Sequence, residues 1–375
     1  MDFEKLRNYV TSLREAGVPG CDLAVYQDHK QIFRCVAGYR DAEEKEPMRG
    51  DESYWLYSAT KVLTTCAAMR LVEEGKIHLD DPVSEYLPAY AKLTVKDAEG
   101  VRPARRVMTV RHLMSMQSGL NYDLLNPSIK KAIEKYGDGA TTRQLMEALA
   151  GEPLEFEPGT DFLYSLSHDV LAAVIEVASG MKFSDYLEQL IFTPMNIHGF
   201  KFNPDEEHMN KLCAAYAMDE EGRKLLPADS NNYHLAPKYE SGGAGLMGNV
   251  DDYILFADTL ACDGVSRDGY RLLSKGMLQL WNANQLGPRS RKSFDAWQRK
   301  GYSYALGVRT RVDLSSGGAG AIGEFGWDGA AGAWVMIDCT NHLSAFFGMH
   351  VRNFGYAYDV IHPTIRSLIY EGLGL

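Results

Sequence analysis

Tyr54-Trp55-Leu56-Tyr57-Ser58-Ala59-Thr60-Lys61-Val62-Leu63 is the stretch on which the reading of this chain turns. Its first four residues are aromatic and apolar, as a buried strand or sheet edge is. The run from Val62 to Val72 is apolar on most faces, as a buried helix is. Ser58 therefore falls at a strand-to-helix junction, at the helix N-terminus. Backbone N–H groups and the positive end of the helix dipole face its hydroxyl there. Lys61, three residues on, shares its helix face. A lysine partly desolvated at such a place loses affinity for its proton and becomes a base. A hydroxyl beside such a base becomes an acylating nucleophile.

Ser-x-x-Lys alone is not selective, because Ser128-Ile129-Lys130-Lys131 and Ser179-Gly180-Met181-Lys182 match it too. Ser128 follows Pro127 and leads into a charged run, so it reads as a solvated helix start. Ser179 abuts Gly180, a C-terminal cap for the helix before it. Only Ser58 has a buried frame on both sides.

The 375 residues suffice for one large or two closely packed domains, and the 45% hydrophobic content allows a sizeable core. A formal charge of −11 argues against nucleic acid and against anionic membranes as partners. The opening residues form an amphipathic helix pattern, with Phe3, Leu6, Val10 and Leu13 on one face. No basic segment followed by an apolar core is seen, so no signal peptide is expected. No apolar run is long enough to span a bilayer. Cys21 and Cys35 can lie across a hairpin, which leaves a bridge open. The favoured reading is six reduced, mostly buried thiols in a cytoplasmic protein.

Cys21 to Gln27 and Gln31 to Val36 read as a hairpin turning at Asp28-His29-Lys30. Helices are expected at 59–74, 110–117, 142–150, 167–179, 183–191, 252–261, 274–283 and 357–371, with Gly75, Gly119 and Gly180 placed as C-caps. Strands return at Tyr304 to Val312, Ala333 to Asp338 and Leu343 to Val351. Strands at both ends with helices between predict an α+β fold, an α/β sandwich. Residues 1–57 with 237–375 would form a sheet domain from both termini, and 58–236 a mainly helical inserted domain, with the active site at their interface.

Gly318-Ala319-Gly320-Ala321-Ile322-Gly323 matches a dinucleotide fingerprint, but Glu324-Phe325-Gly326-Trp327 after it will not open the helix that the fingerprint needs. No nucleotide or other cofactor is expected. The ten histidines are dispersed without His-x-x-x-His spacing, so no metal is expected. His168 reads as a capping or surface residue and His112 as part of a structural helix.

Two further segments complete a candidate site. Pro158-Gly159-Thr160 is a turn that delivers Tyr164-Ser165-Leu166-Ser167, and a phenol near the Ser58–Lys61 pair is a plausible proton-transfer partner. Small residues at 329–332 allow backbone to approach a ligand closely, and an N–H there with that of Ser58 would make an oxyanion hole. Read alone, each segment also fits a core tyrosine or a tight β-turn.

Taken in order, these segments resemble the serine β-lactamase and penicillin-binding-protein superfamily, on its class C branch. The resemblance runs through Ser58-Ala59-Thr60-Lys61, Leu71-Val72-Glu73-Glu74-Gly75, Val110-Arg111-His112-Leu113-Met114, Glu157-Pro158-Gly159-Thr160, Gly242-Gly243-Ala244-Gly245 and Gly326-Trp327-Asp328-Gly329. It implies an antiparallel sheet flanked by helices with a helical domain beside it. It also implies Ser58 as nucleophile, Lys61 as its lysine and Tyr164 as the tyrosine of Tyr-x-Asn. Trp327-Asp328-Gly329 stands where β-lactamases have Lys-Thr-Gly.

The departures bear on substrate. Leu166 replaces the asparagine of Tyr-x-Asn, and Trp327 replaces the lysine that binds the carboxylate of penicillins. Tyr-Ser-Leu and Trp-x-Gly are similar to family VIII carboxylesterases, although Asp328 departs from their usual Trp-Gly-Gly. The expectation is a carboxylesterase on small esters, with Ser58, Lys61 and Tyr164 catalytic and the N–H groups of Ser58 and Ala330 as oxyanion hole. Trp327, Asp328, Gly329, Leu166 and Tyr122 would contact substrate. Alternatives are a β-lactamase or D-amino-acid peptidase or amidase with the same machinery, and a non-catalytic binding protein. An alcohol acceptor in place of water would make a transferase. The partner in each enzymatic case is a small-molecule ester, amide or β-lactam. Oligomeric state is left open.

Overall fold

A computed structural model describes residues 1–227, 231–297 and 300–375. Its centre is an eight-stranded antiparallel sheet. Across the sheet the order is Tyr302–Tyr304, Arg309–Arg311, Phe325–Gly326, Trp334–Asp338, Leu343–Met349, Gly20–Gln27, Lys30–Asp41 and Glu46–Pro47. Both ends of the chain thus supply one sheet, whose seam is the ladder from Cys21↔Met349 to Gln27↔Leu343.

Both faces of this sheet are covered, which explains strands that read as continuous apolar runs. Leu23, Val25, Trp334, Met336 and Phe347 point to one side, against Leu6 and Val10 of helix Glu4–Ser12 and Ile365 and Ile369 of helix His362–Leu373. Ala24, Val335, Ile337 and Phe346 point to the other, against helix Val250–Ala261 and the rest of the core. Phe346 stacks flat on Tyr253 with centroids 4.0 Å apart. Helix Val250–Ala261 starts where the Asn249 side chain accepts the Asp252 N–H, a cap that contributes about 1 kcal/mol.

Between the two groups of sheet strands lie helices Thr60–Glu73, Val110–Met114, Pro127–Tyr136, Thr142–Leu149, Ser167–Ser179 and Phe183–Leu187. Helix Ser167–Ser179 is buried over Ser167 to Ile175 and packs on Thr60–Glu73. Gly180 ends it at φ 72°, as a left-handed cap. Strand Tyr216–Asp219 pairs in parallel with Val351–Arg352, so residues before 236 also join the C-terminal part of the chain.

Two local expectations need correction. Tyr304 to Val312 is not one strand but a hairpin, Tyr302–Tyr304 against Arg309–Arg311, reversing near Gly307 at φ 93°. Gly119 caps no helix, since Val110–Met114 has already ended. A Cβ there would sit 2.3 Å from the Phe156 carbonyl, so close backbone approach is what requires glycine. The glycine-rich stretch 317–323 is a loop folded around Arg311, whose guanidinium takes the carbonyls of Gly317, Gly318 and Ala319. Cys21 pairs with Ala37 and Cys35 with Leu23, and all six cysteines are free thiols.

Candidate active site

Ser58 lies where the chain leaves the two-stranded ladder of Ser53–Trp55 and Met247–Asn249. Tyr57 turns the chain in the left-handed region, at φ 44°, into one 3₁₀ turn that runs into helix Thr60–Glu73. A non-glycine residue held there costs on the order of 1–3 kcal/mol and persists only where packing over-determines it. Tyr57 is fully buried, edge-on to Tyr233 at 5.9 Å, with the Arg352 guanidinium 5.7 Å over its ring.

The helix after it is buried on nearly every face, and that carries Lys61 inside. The three-residue spacing sets Lys61 Nζ 3.2 Å from Ser58 Oγ. Nζ also reaches Tyr122 OH at 3.1 Å and the Gly243 carbonyl at 2.6 Å. Three partners match the three N–H bonds of an ammonium. In the neutral amine, one of those directions is a lone pair. Burial brings the Lys61 ammonium down to about 7, against a smaller upward pull from Asp169.

Nothing local in the sequence singles out Asp169. It is fully buried on helix Ser167–Ser179, and its Oδ1 accepts Tyr239 OH at 2.7 Å, Ser241 Oγ at 2.5 Å and the Gly243 N–H at 3.4 Å. The loop it ties down presents the Gly243 carbonyl to Lys61. A Cβ on Gly243 would lie 2.4 Å from Asp169 Oδ2, and one on Gly242 2.5 Å from the His168 carbonyl, so only glycines allow this approach. His168 is neither a cap nor at the surface. It is fully buried, bonded to the Met114 carbonyl at 3.2 Å, and pushed down to about 3 by burial. His112 closes a capping box with Thr109 at the start of helix Val110–Met114.

Tyr164 lies over Lys61, whose Nζ is 4.6 Å from the ring centroid. Its phenol oxygen takes a hydrogen bond from Trp327 Nε1 at 2.9 Å and is also bonded to the Ser58 side chain. Burial holds the phenol far above its ordinary range, so it stays protonated. Tyr122 stacks on Tyr164 at 5.5 Å. Leu166 departs from its expected place: it is fully buried in the core, its N–H bonds the Asn121 carbonyl, and it lines no part of the cavity beside Ser58.

The opposite wall is the sheet edge after Phe325–Gly326. A Cβ on Gly329 would stand 2.4 Å from the Leu56 carbonyl, so glycine lets this edge press on the turn that carries Ser58. The Gly329 N–H bonds the Ala333 carbonyl at 2.7 Å and the Gly332 N–H bonds the Gly329 carbonyl at 2.9 Å. Ala330 sits between them and faces the same cavity as Ser58. Asp328 is paired with Arg309 at 2.8 Å, a guanidinium only 4% exposed.

Ser58, Tyr122, Tyr164, Trp327, Asp328, Gly329 and Ala330 border one cavity of about 580 Å³. Sequence reasoning missed Tyr233, Trp297, Arg309, Tyr358 and Asp359 on its walls. A guanidinium in an aromatic strand was the one signal available, since a buried charge needs a partner. Among the described residues, His29, Asp258 and Cys262 also cluster within 4.8 Å. Direct bonding of His29 Nδ1 to Asp258 Oδ2 at 2.7 Å, and a Cys262 thiol pushed up to about 12 by burial, account for that trio as a packed polar cluster. No described helix is long and apolar enough to cross a membrane.

The family model described as Beta-lactamase matches residues 6–355. Protein Rv1367c of Mycobacterium tuberculosis is 30% identical over 336 residues, 86% of this chain and 84% of that one. Lovastatin esterase of Penicillium rubens is 32% identical over 327 residues, 80% of each chain. Among solved structures, EstCE1, described as a hydrolase with promiscuous acyltransferase activity, superposes with a TM-score of 0.80 at 24% identity, covering 98% of both chains.

Proposed function

The chain belongs to the beta-lactamase family, and from that premise we propose that it is a serine hydrolase acting on carboxylic esters through an acyl-enzyme on Ser58. The observation that carries the reading is the Lys61 amine, buried and brought to about 7, at 3.2 Å from the Ser58 hydroxyl. At neutral pH about half of such lysines are free amines.

In the attack, Ser58 Oγ adds to the ester carbonyl and its proton passes to the Lys61–Tyr164 pair. The base is not assigned to one member, since close titrating groups share protons. Tyr164, protonated and bonded to Ser58, relays the proton to the leaving alcohol. The N–H groups of Ser58 and Ala330 hold the carbonyl oxygen as it gains charge, and the turn at 329–332 does not use the Ala330 N–H. Water then repeats the sequence on the acyl-enzyme and releases the acid.

Esters are favoured over β-lactams by the walls. The cation bordering the cavity among the described residues is Arg309, already paired with Asp328, and no lysine stands where Trp327 does. The substrate's carboxylate would find no open partner. Residues 1–57 with 237–375, and 58–236, act in this reading as two lobes with the cavity between them. The acidic composition and free thiols fit a cytoplasmic setting.

The test is fluorophosphonate labelling read by intact mass on wild type and Ser58→Ala, with turnover of p-nitrophenyl butyrate and nitrocefin alongside. Labelling and ester turnover that both vanish with Ser58, and ester turnover well above nitrocefin, are expected. Undiminished turnover in Ser58→Ala would remove the assignment.

A further inference from the structure

The cavity walls carry a second message, in their balance of aromatic faces and charge. Tyr164, Trp297 and Trp327 stand 5.0–6.0 Å apart, centroid to centroid, and Tyr122 stacks on Tyr164 at 5.5 Å. Tyr233 and Tyr358 complete six aromatic side chains around one space. The faces of such rings are electron-rich and attract cations. Tyr122 and Tyr164 already receive Lys61 Nζ at 5.3 and 4.6 Å and Trp327 receives Arg309, which leaves Trp297, Tyr233 and Tyr358 for a ligand.

Three charged residues border the same space: Arg309, Asp328 and Asp359. Arg309 is committed, with its guanidinium 2.8 Å from Asp328, 6.0 Å over the Trp327 ring and almost wholly buried. The two charges cancel. Asp359 is exposed at the wall, on the turn that precedes helix His362–Leu373. Among the described residues it has no basic partner, so one negative charge is left over among the bordering side chains, with the half-protonated Lys61 behind Ser58 at the other end of the site. The chain as a whole is negative as well, at −11.

We infer that the substrates of this site are esters bearing a positively charged group, such as a quaternary ammonium, whose cation rests among the aromatic rings with Asp359 as counter-charge. The inference rests on the ester-hydrolase reading and narrows it. An anion would meet the Asp359 carboxylate and ring faces that repel it. A neutral group would gain only apolar contact. A cation gains both cation–π attraction and the carboxylate, and pays less desolvation in its quaternary form, where there are no N–H groups to satisfy.

The experiment compares three esters of one acid by pH-stat: butyrylcholine, its uncharged carbon isostere 3,3-dimethylbutyl butyrate, and the butyrate ester of 4-hydroxybutanoate as the anion. In wild type, kcat/KM is expected to be about fivefold higher for the choline ester than for the isostere, and about tenfold lower again for the anion, in line with exposed cation–π and single-charge effects. The cationic-to-neutral ratio should fall about threefold in Asp359→Asn, and fall in wild type at 0.5 M NaCl, where charges are screened within about 4 Å. A ratio of one or less, or a ratio unmoved by Asp359→Asn, overturns the inference. Turnover of the neutral ester without cation preference refutes this inference alone. Failure of every ester, with no Ser58 labelling, refutes the hydrolase reading. In that case calorimetric titration of Ser58→Ala with butyrylcholine and with the isostere still decides the cation preference, tighter binding of the isostere or equal binding being the overturning result.

Discussion

Lys61→Met should make the protein inactive and, at neutral pH, more stable. The ordinary lysine ammonium titrates at 10.5, and burial brings Lys61 to about 7. Each pKa unit is worth about 1.36 kcal/mol, so at pH 7 the fold carries a burden of about 4 kcal/mol from this side chain. The sign follows from proton counts. Below about pH 7 the folded and unfolded chains both hold the proton and the burden is constant. Between about 7 and 10.5 the unfolded chain holds it and the folded chain does not, so stability rises with pH at about 1.4 kcal/mol per unit. Methionine matches the lysine stem without its charge, but it leaves the buried Gly243 carbonyl without its 2.6 Å donor, at about 1–3 kcal/mol. The net gain at pH 7 is about 1–3 kcal/mol, and about 2 kcal/mol of it should be gone by pH 9. Unfolding entropy of about 2.1 cal/mol/K per residue converts 1 kcal/mol to about 1.3 °C in a chain this long. Calorimetry of wild type and Lys61→Met at pH 7, 8 and 9 should show the variant melting higher at pH 7 by roughly 1–4 °C, with the gap closing as pH rises. Other titrating groups cancel in the difference. A gap that does not change between pH 7 and 9 would refute a desolvated lysine.

Three further outcomes follow from the same geometry. The active amine is the neutral one, so kcat/KM should climb through pH 7 and level off above it. Asp169→Asn removes a charge that holds the lysine proton and should move that limb to lower pH, and an unmoved limb would disconnect Asp169 from Lys61. Gly329→Ala places a Cβ against the Leu56 carbonyl and should lower kcat at least about tenfold at a stability cost of about 1–3 kcal/mol. Wild-type kcat in that variant would mean that the 329–330 edge does not position the reacting carbonyl.

What the sequence disclosed and what it hid divide along a physical line. Ser58 and Lys61 were legible because one helical turn fixes their relation, and the sheet strands because burial on both faces leaves an apolar run. Tyr164 could be placed by its resemblance to Tyr-x-Asn, whereas its neighbour Leu166 was misjudged. A motif gives a position, but the direction of a side chain depends on the backbone between Tyr164 and the helix that starts at Ser167. Asp169 with Gly243 and Arg309 with Asp328 stayed hidden because each pair is joined only by the closed fold. Gly119 and the Tyr302–Arg311 hairpin show the same limit, since neither a close carbonyl nor a sharp reversal has a local signature.

The seam of the main sheet has a consequence for synthesis. Gln27 and Leu343 are paired, yet they stand 316 positions apart in the sequence. At a translation rate of about 5–20 residues per second, the strand Gly20–Gln27 waits on the order of 15–60 s for its partner to be made. Its hairpin partner Lys30–Asp41 covers one edge early, and the other edge stays open until Leu343–Met349 is made. The nascent chain therefore presents an unpaired apolar strand edge to the cell throughout that interval, and its yield in any host depends on what shields that edge until Leu343–Met349 is made.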